Sequence, residues 1–228
     1  MDEAPIKTLL DVLPAYMNFA IGFLRSPRVA FAPYALKGRV QSNLTSFLLA
    51  GVAAAYLTGA LMPKGSFHVD NPRGGVDKFV KWLTQQDVRV LPLEALLAVL
   101  VLTLVAHFIG KVFDRWQDQA CLPGTAEDSV NAALGFTAIL LPVTTFMLLG
   151  LLAMATPALE NKVGQARVVL FISGGLAIYL LVALGYLAMS FASVHKVAGW
   201  QAVSALTSAF VCIAVVTSSI GAIIVDGL

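Results

Sequence analysis

Charge is scarce in this chain. Of its 228 residues only 12% are Asp, Glu, Lys or Arg, about half the share usual in a water-soluble domain. The formal net charge of +2 is too small to hold nucleic acid or to select an acidic partner, so no nucleic acid is expected among its partners. Cysteine is nearly absent as well. Cys121 falls between apolar runs and Cys212 lies inside the last one, so two free thiols are expected rather than a disulfide.

Catalytic patterns are missing too. There is no H-E-x-x-H, no G-x-S-x-G, no phosphate-cradling glycine loop and no pair of aspartates within an apolar run. Serine and histidine do not fall at a spacing that suggests a dyad. His68 and His195 read as loop residues, so the three histidines offer no metal-ligand spacing. A non-enzymatic protein with neither cofactor nor metal is the expectation. The first residues are acidic (Asp2, Glu3) and no cleavable secretory signal is visible, so the first apolar run is expected to serve as an uncleaved insertion signal.

Long apolar runs are what the chain has instead. They cover about Asn43 to Met62, Leu91 to Val112, Asn131 to Ala155, Val168 to Val194 and Trp200 to Val225. Each reaches the ~20 residues that a helix needs to cross a hydrocarbon core. Backbone groups at that depth must bond within their own segment, so each run is predicted to be helical. The fold class is therefore an all-α integral membrane protein: five transmembrane helices over residues 43–228, preceded by a membrane-proximal arm over residues 1–42.

Within the arm, Leu9 to Leu24 is too short for a comfortable crossing, is interrupted by Asp11 and Asn18, and contains Pro14. It reads as an interfacial amphipathic helix broken near Pro14, with Tyr16, Phe19 and Phe23 at headgroup depth; a sixth span is the competing reading. Ser26-Pro27 reads as an N-cap and a first helical residue. Arg25, Arg28, Lys37 and Arg39 form the densest basic cluster abutting a span. They are expected to set topology and to touch anionic lipid headgroups, at ~1 kcal/mol per cation. Counting all Lys and Arg does not decide orientation, with eight on one side and seven on the other. The position of the arm's cations favours a cytoplasmic N-terminus and a C-terminus across the membrane. Between the first two spans, Val76, Phe79, Val80 and Leu83 predict a short helix on the membrane surface.

Polar groups inside spans are functional candidates. Glu94 sits in the first turn of the second span, where a helix N-terminus and the headgroup region accommodate an anion. His107 lies ~20 Å further along the same helix and about 140° around it, so the two cannot form one site there. A buried imidazole bonded to a neighbouring span is expected for His107. Gly51, Ala55 and Gly59 on the first span, and Ala205 with Ala209 on the last, form small-residue stripes for helix packing, within the bundle or across a homodimer. Pro142 frees a carbonyl in the third span, and Thr144 and Thr145 can help satisfy groups near the kink.

Three passages resemble the Yip-domain family, named after Ypt/Rab-interacting proteins. One is Phe23-Leu24-Arg25-Ser26-Pro27-Arg28-Val29-Ala30-Phe31. The second is Gly124 to Pro142, a polar loop leading into an Ala-rich span with a central proline. The third is Tyr186 to Val211, joined through Ala192-Ser193-Val194-His195-Lys196-Val197. The compact arm resembles the prokaryotic type. The resemblance implies a role in membrane organisation or trafficking, as in the family's eukaryotic members. Together with the small-residue stripes and the missing catalytic spacing, the expectation is a scaffold or interaction partner of other membrane proteins, or of a second copy, in a bacterial inner membrane. The alternative is a small transporter or permease component using Glu94 and His107, with an intramembrane enzyme a distant third.

Overall fold

The computed structural model describes residues 8–60, 91–117, 122–155 and 162–226; the surface helix expected over Val76 to Leu83, and His68 and Cys121, lie outside them. The described residues are helical, without a strand. An arm helix, α1 (Leu9–Arg25), leads into a short α2 (Pro27–Phe31) and a 3-10 turn (Ala32–Tyr34). Five long helices follow: α3 (Ser42–Ala60), α4 (Leu91–Gln117), α5 (Ala126–Ala155), α6 (Lys162–His195) and α7 (Gly199–Asp226). All five are long and apolar enough to cross a membrane.

Packing order follows from which helices touch. α4 lies against α5 and α7, and α6 lies against the same two, which closes a four-helix ring. α3 packs on the outer side of α5, so α5 is the most enclosed span, with 56% of its spanning segment buried. One end of the bundle collects the starts of α3, α5 and α7 and the ends of α4 and α6. Hydrogen bonds tie those ends to one another and to the arm, and we call this the arm end.

Membrane helices have no hydrophobic drive to associate, so close approach and dispersion must hold them. Gly51 and Ala55 are buried on α3, and a Cβ on Gly51 would overlap the Ala138 carbonyl oxygen of α5. On α5, a Cβ on Gly135 would come within 2.6 Å of the Phe31 ring. Ala205 and Ala209 are buried on α7, and Gly59 is half-buried. The expected stripes at Gly51/Ala55 and Ala205/Ala209 are thus turned into the chain's own bundle.

α1 departs from expectation in two ways. Its helix continues through Pro14 instead of breaking there. Tyr16, Phe19 and Phe23 are buried in protein rather than placed among headgroups. Partners explain the second point. Phe19 stacks on Phe47 of α3 at 4.9 Å and meets Phe31 edge-on at 5.6 Å. Phe23 lies 6.4 Å from Phe136 of α5 and 5.2 Å from Tyr186 of α6. Such ring pairs contribute about 0.5–1.5 kcal/mol each beyond burial. The row steps from α3 over α5 to α6, so α1 runs across the bundle rather than along it. Its other face exposes Leu10, Leu13, Met17, Ile21 and Leu24.

Pro142 and Tyr16 explain each other. Proline has no N–H, so Ala138, four residues earlier, loses its helical donor. The Tyr16 hydroxyl donates to that carbonyl at 3.0 Å. Thr144 and Thr145 donate to the Leu140 and Leu141 carbonyls beside Pro142, at 2.7 and 2.8 Å, and not to the freed Ala138 carbonyl. Reaching 122 residues forward along the chain, the arm supplies what the proline removes.

Candidate functional site

The arm end is where this fold concentrates its buried polar groups. α5 starts five residues earlier than its apolar run, at Ala126, because Thr125 and Asp128 form a reciprocal cap. The Asp128 carboxylate accepts from the Thr125 N–H at 2.7 Å and from its hydroxyl at 2.9 Å. The Asp128 N–H donates back to the Thr125 hydroxyl at 3.3 Å. This is a capping box, with acidic residues complementing the helix dipole. Asp128 is fully buried; its second oxygen, Oδ1, has no hydrogen-bond partner among the described residues.

One turn on, Asn131 fastens the arm. Its side chain accepts from the Gln41 N–H at 3.0 Å and donates to the Arg39 carbonyl at 2.9 Å. The loop before α5 is held to α4 by two further bonds. Lys111 donates to the Leu122 carbonyl, and the Leu122 N–H donates to the Asp114 carboxylate at 3.0 Å. Tyr186 of α6 donates to the Leu24 carbonyl near the end of α1, at 2.8 Å.

At the end of α6 the structure corrects one expectation. His195 is the last residue of that helix, not a loop residue, and it is fully buried. The helix stops in a Schellman arrangement: Val197 N–H donates to Ala192 O at 3.0 Å and Lys196 N–H to Ser193 O at 3.4 Å. Lys196 occupies the left-handed position, with φ +52, where glycine is usual. The Leu36 N–H of the arm, itself at φ +52, reaches the Val194 carbonyl at 3.3 Å.

His195 Nε2 shares a 2.8 Å hydrogen bond with the Ser129 hydroxyl, 66 residues away in sequence. Serine and histidine are therefore paired by the fold although no sequence spacing announced it. Ser129 is also fully buried. Gly124 closes the other side of the ring, since a Cβ there would overlap His195 Nδ1.

His107 of α4 comes to the same place. Its ring stacks on His195 with centroids 5.4 Å apart and planes inclined by 29°. The imidazole meets a neighbouring span as expected, but through ring stacking, and its Nδ1 has no hydrogen-bond partner among the described residues. Stacked rings do not aim their nitrogens at a common point. Among the described residues, no three His, Cys, Asp or Glu side chains are placed to hold a metal ion.

The remaining candidates separate cleanly. Glu94 is exposed in the first turn of α4, at the end opposite the arm. Arg25, Arg28 and Arg39 are exposed around the arm end, and Lys37 is half-buried there. The structure adds Lys196, which is exposed beside them in chain order after His195. Sequence reading missed Asp128, Ser129, Asn131 and His195 as a unit. Only the Thr125-x-x-Asp128 spacing was a local signal.

What the arrangement does chemically is mostly hold backbone ends together. Ser129, His195 and His107 are closed off by α5, α6, α4 and Gly124. Comparison of the chain with protein-family models, with curated proteins and with solved structures gave no match.

Proposed function

We propose that this chain is a non-enzymatic, Yip-like membrane scaffold of the compact prokaryotic type. It resides in a bacterial inner membrane with the arm end cytoplasmic and the C-terminus on the opposite side. It binds other membrane proteins, or a second copy of itself, through the lipid-facing sides of its spans. The observation that carries this reading is the use of polar groups at the arm end. Asn131, Asp114, Lys111 and Tyr186 are bonded to backbone groups of other segments, while Asp128 caps the start of its own helix, which supports the arm and bundle acting as one frame. The exposed cations support the orientation, because carrying each across the core costs ~2.5–3.5 kcal/mol.

Photo-crosslinking in native membranes tests the partner reading. A crosslinker at Tyr56 or Phe210, both exposed, should trap a discrete adduct with a second copy or another membrane protein. A lone monomer from both sites removes the scaffold. Orientation is tested separately with Cys121 and Cys212 replaced by Ser. Val40→Cys should resist an impermeant thiol reagent in intact cells, and Glu94→Cys should react.

A transporter or permease component is the second reading. It is favoured by His107 Nδ1, His195 Nδ1 and Thr137 Oγ1, which are buried without hydrogen-bond partners among the described residues. Glu94 is too far from His107 to share a site with it. Solute or proton flux into liposomes that disappears in His107→Ala would put this reading first.

A further inference from the structure

Two separate stretches of chain deliver cations to one rim of the arm end. Arg25 and Arg28 flank the break between α1 and α2, and Lys196 sits in the link between α6 and α7. These stretches meet: α2 packs on α6, and Arg28 Nη2 lies 3.5 Å from where a Cβ on Gly199 would stand. All three cations are exposed. The acids of this end do not answer them, since Asp114 and Asp128 are buried and bonded to Leu122 and Thr125. Glu127, in the first turn of α5, is the exposed acid among the described residues there. Exposed apolar side chains neighbour the cations along the chain: Leu24 beside Arg25, Val29 beside Arg28, and Trp200 shortly after Lys196, the last 73% exposed.

We propose that this rim binds the headgroup of an anionic glycerophospholipid, with Arg25, Arg28 and Lys196 on the phosphodiester and Leu24, Val29 and Trp200 against the glycerol and upper acyl chain. Arginine forks match paired phosphate oxygens, and a lysine adds a point charge. A tryptophan at the water boundary of a span suits that depth. A lipid fits better than an acidic peptide because the cations border the aliphatic row of α1 (Met17, Ile21, Leu24), which continues the surface toward the acyl region. The inference needs only a membrane protein and does not rest on the scaffold reading.

The test uses the full chain in nanodiscs of phosphatidylcholine with a minority of phosphatidylglycerol. The protein is released into mild detergent and its retained lipids are counted by native mass spectrometry. Wild type should retain phosphatidylglycerol in preference to phosphatidylcholine. R25Q/R28Q/K196Q should lose that preference at least tenfold, at roughly fivefold per cation. R25K/R28K, which keeps the charge, should hold most of it. Circular dichroism of each variant confirms that helix content is intact. No preference in wild type, or a preference unchanged in the triple variant, overturns the site. So does displacement by millimolar inorganic phosphate, which would mark a phosphate site without lipid. Binding of a poly-glutamate peptide with no lipid preference would assign the rim to an acidic protein and overturn it as well.

Discussion

α5 and α7 are both apolar spanning helices of similar hydropathy, yet 56% of the α5 segment is buried and only 22% of the α7 segment. Hydropathy places both in the membrane and says nothing about which one the protein encloses. The difference lies in residues that hydropathy treats as minor. α5 carries Gly135 under the Phe31 ring, Asn131 bonded to the arm, and Pro142 with its freed carbonyl. α7 meets α4 and α6 along Ala202, Ala205 and Ala209 and turns Val203, Phe210, Val211 and Val215 outward. In lipid, small and polar residues mark the protein interior, and large apolar ones are free to face either way.

The sharpest test of that contrast is steric. Gly51→Leu forces a side chain into the Ala138 backbone and should cost about 3 kcal/mol. The expected readout is loss of the monodisperse species on heating in detergent. Ala214→Leu on the exposed face of α7 should stay within about 0.5 kcal/mol of wild type. Equal damage at both positions would break the comparison.

Next in size is Gly124→Ala, expected to cost about 2 kcal/mol because the new methyl collides with the His195 ring. Combined with His195→Ala, the cost should be less than the sum of the singles. Additivity would mean that Gly124 and His195 do not press on one another.

Tyr16→Phe should cost about 1.5 kcal/mol by stripping the donor from the Ala138 carbonyl. The same substitution made on Pro142→Ala should cost less, because residue 142 then brings its own N–H. Thermal unfolding of the four proteins of this cycle gives the coupling directly. An undiminished Tyr16 effect would sever the link between arm and proline.

The smallest expected change is a gain. Lys196→Gly removes a side chain from the left-handed position and should stabilise by up to ~1 kcal/mol. Ala132→Gly, in the helical interior of α5, should destabilise by about the same amount.

The five spans were legible because ~20 apolar residues in a row admit few alternatives. Their ends were less so. α5 begins at Ala126 although Glu127 and Asp128 look like loop, since a capping box makes acidic residues good first-turn residues. α6 ends at His195 with a lysine where a glycine would have signalled the stop, which is why that histidine read as part of a link. The pairing of Ser129 with His195 and the stacking of His107 are tertiary facts with no local signature. Tyr16 was the instructive case. The proline four residues beyond Ala138 announced an unsatisfied carbonyl, but nothing near it in sequence named the donor.

The transverse helix α1 also sets an order of events. Its docking partner on α5 lies 122 residues further along, which at ~5–20 residues per second is about 6–24 s of synthesis. Phe47 is made early in that interval, but through most of it Tyr16 and Phe23 have neither Ala138 nor Phe136 to meet. Aromatic rings are at home at a membrane boundary, so the newborn arm has a tolerable resting place until α5 inserts. One face of α1 thus serves first as an anchor on the surface and afterwards as a keystone inside the bundle. The packing of the first helix is therefore completed only once the third span has been made.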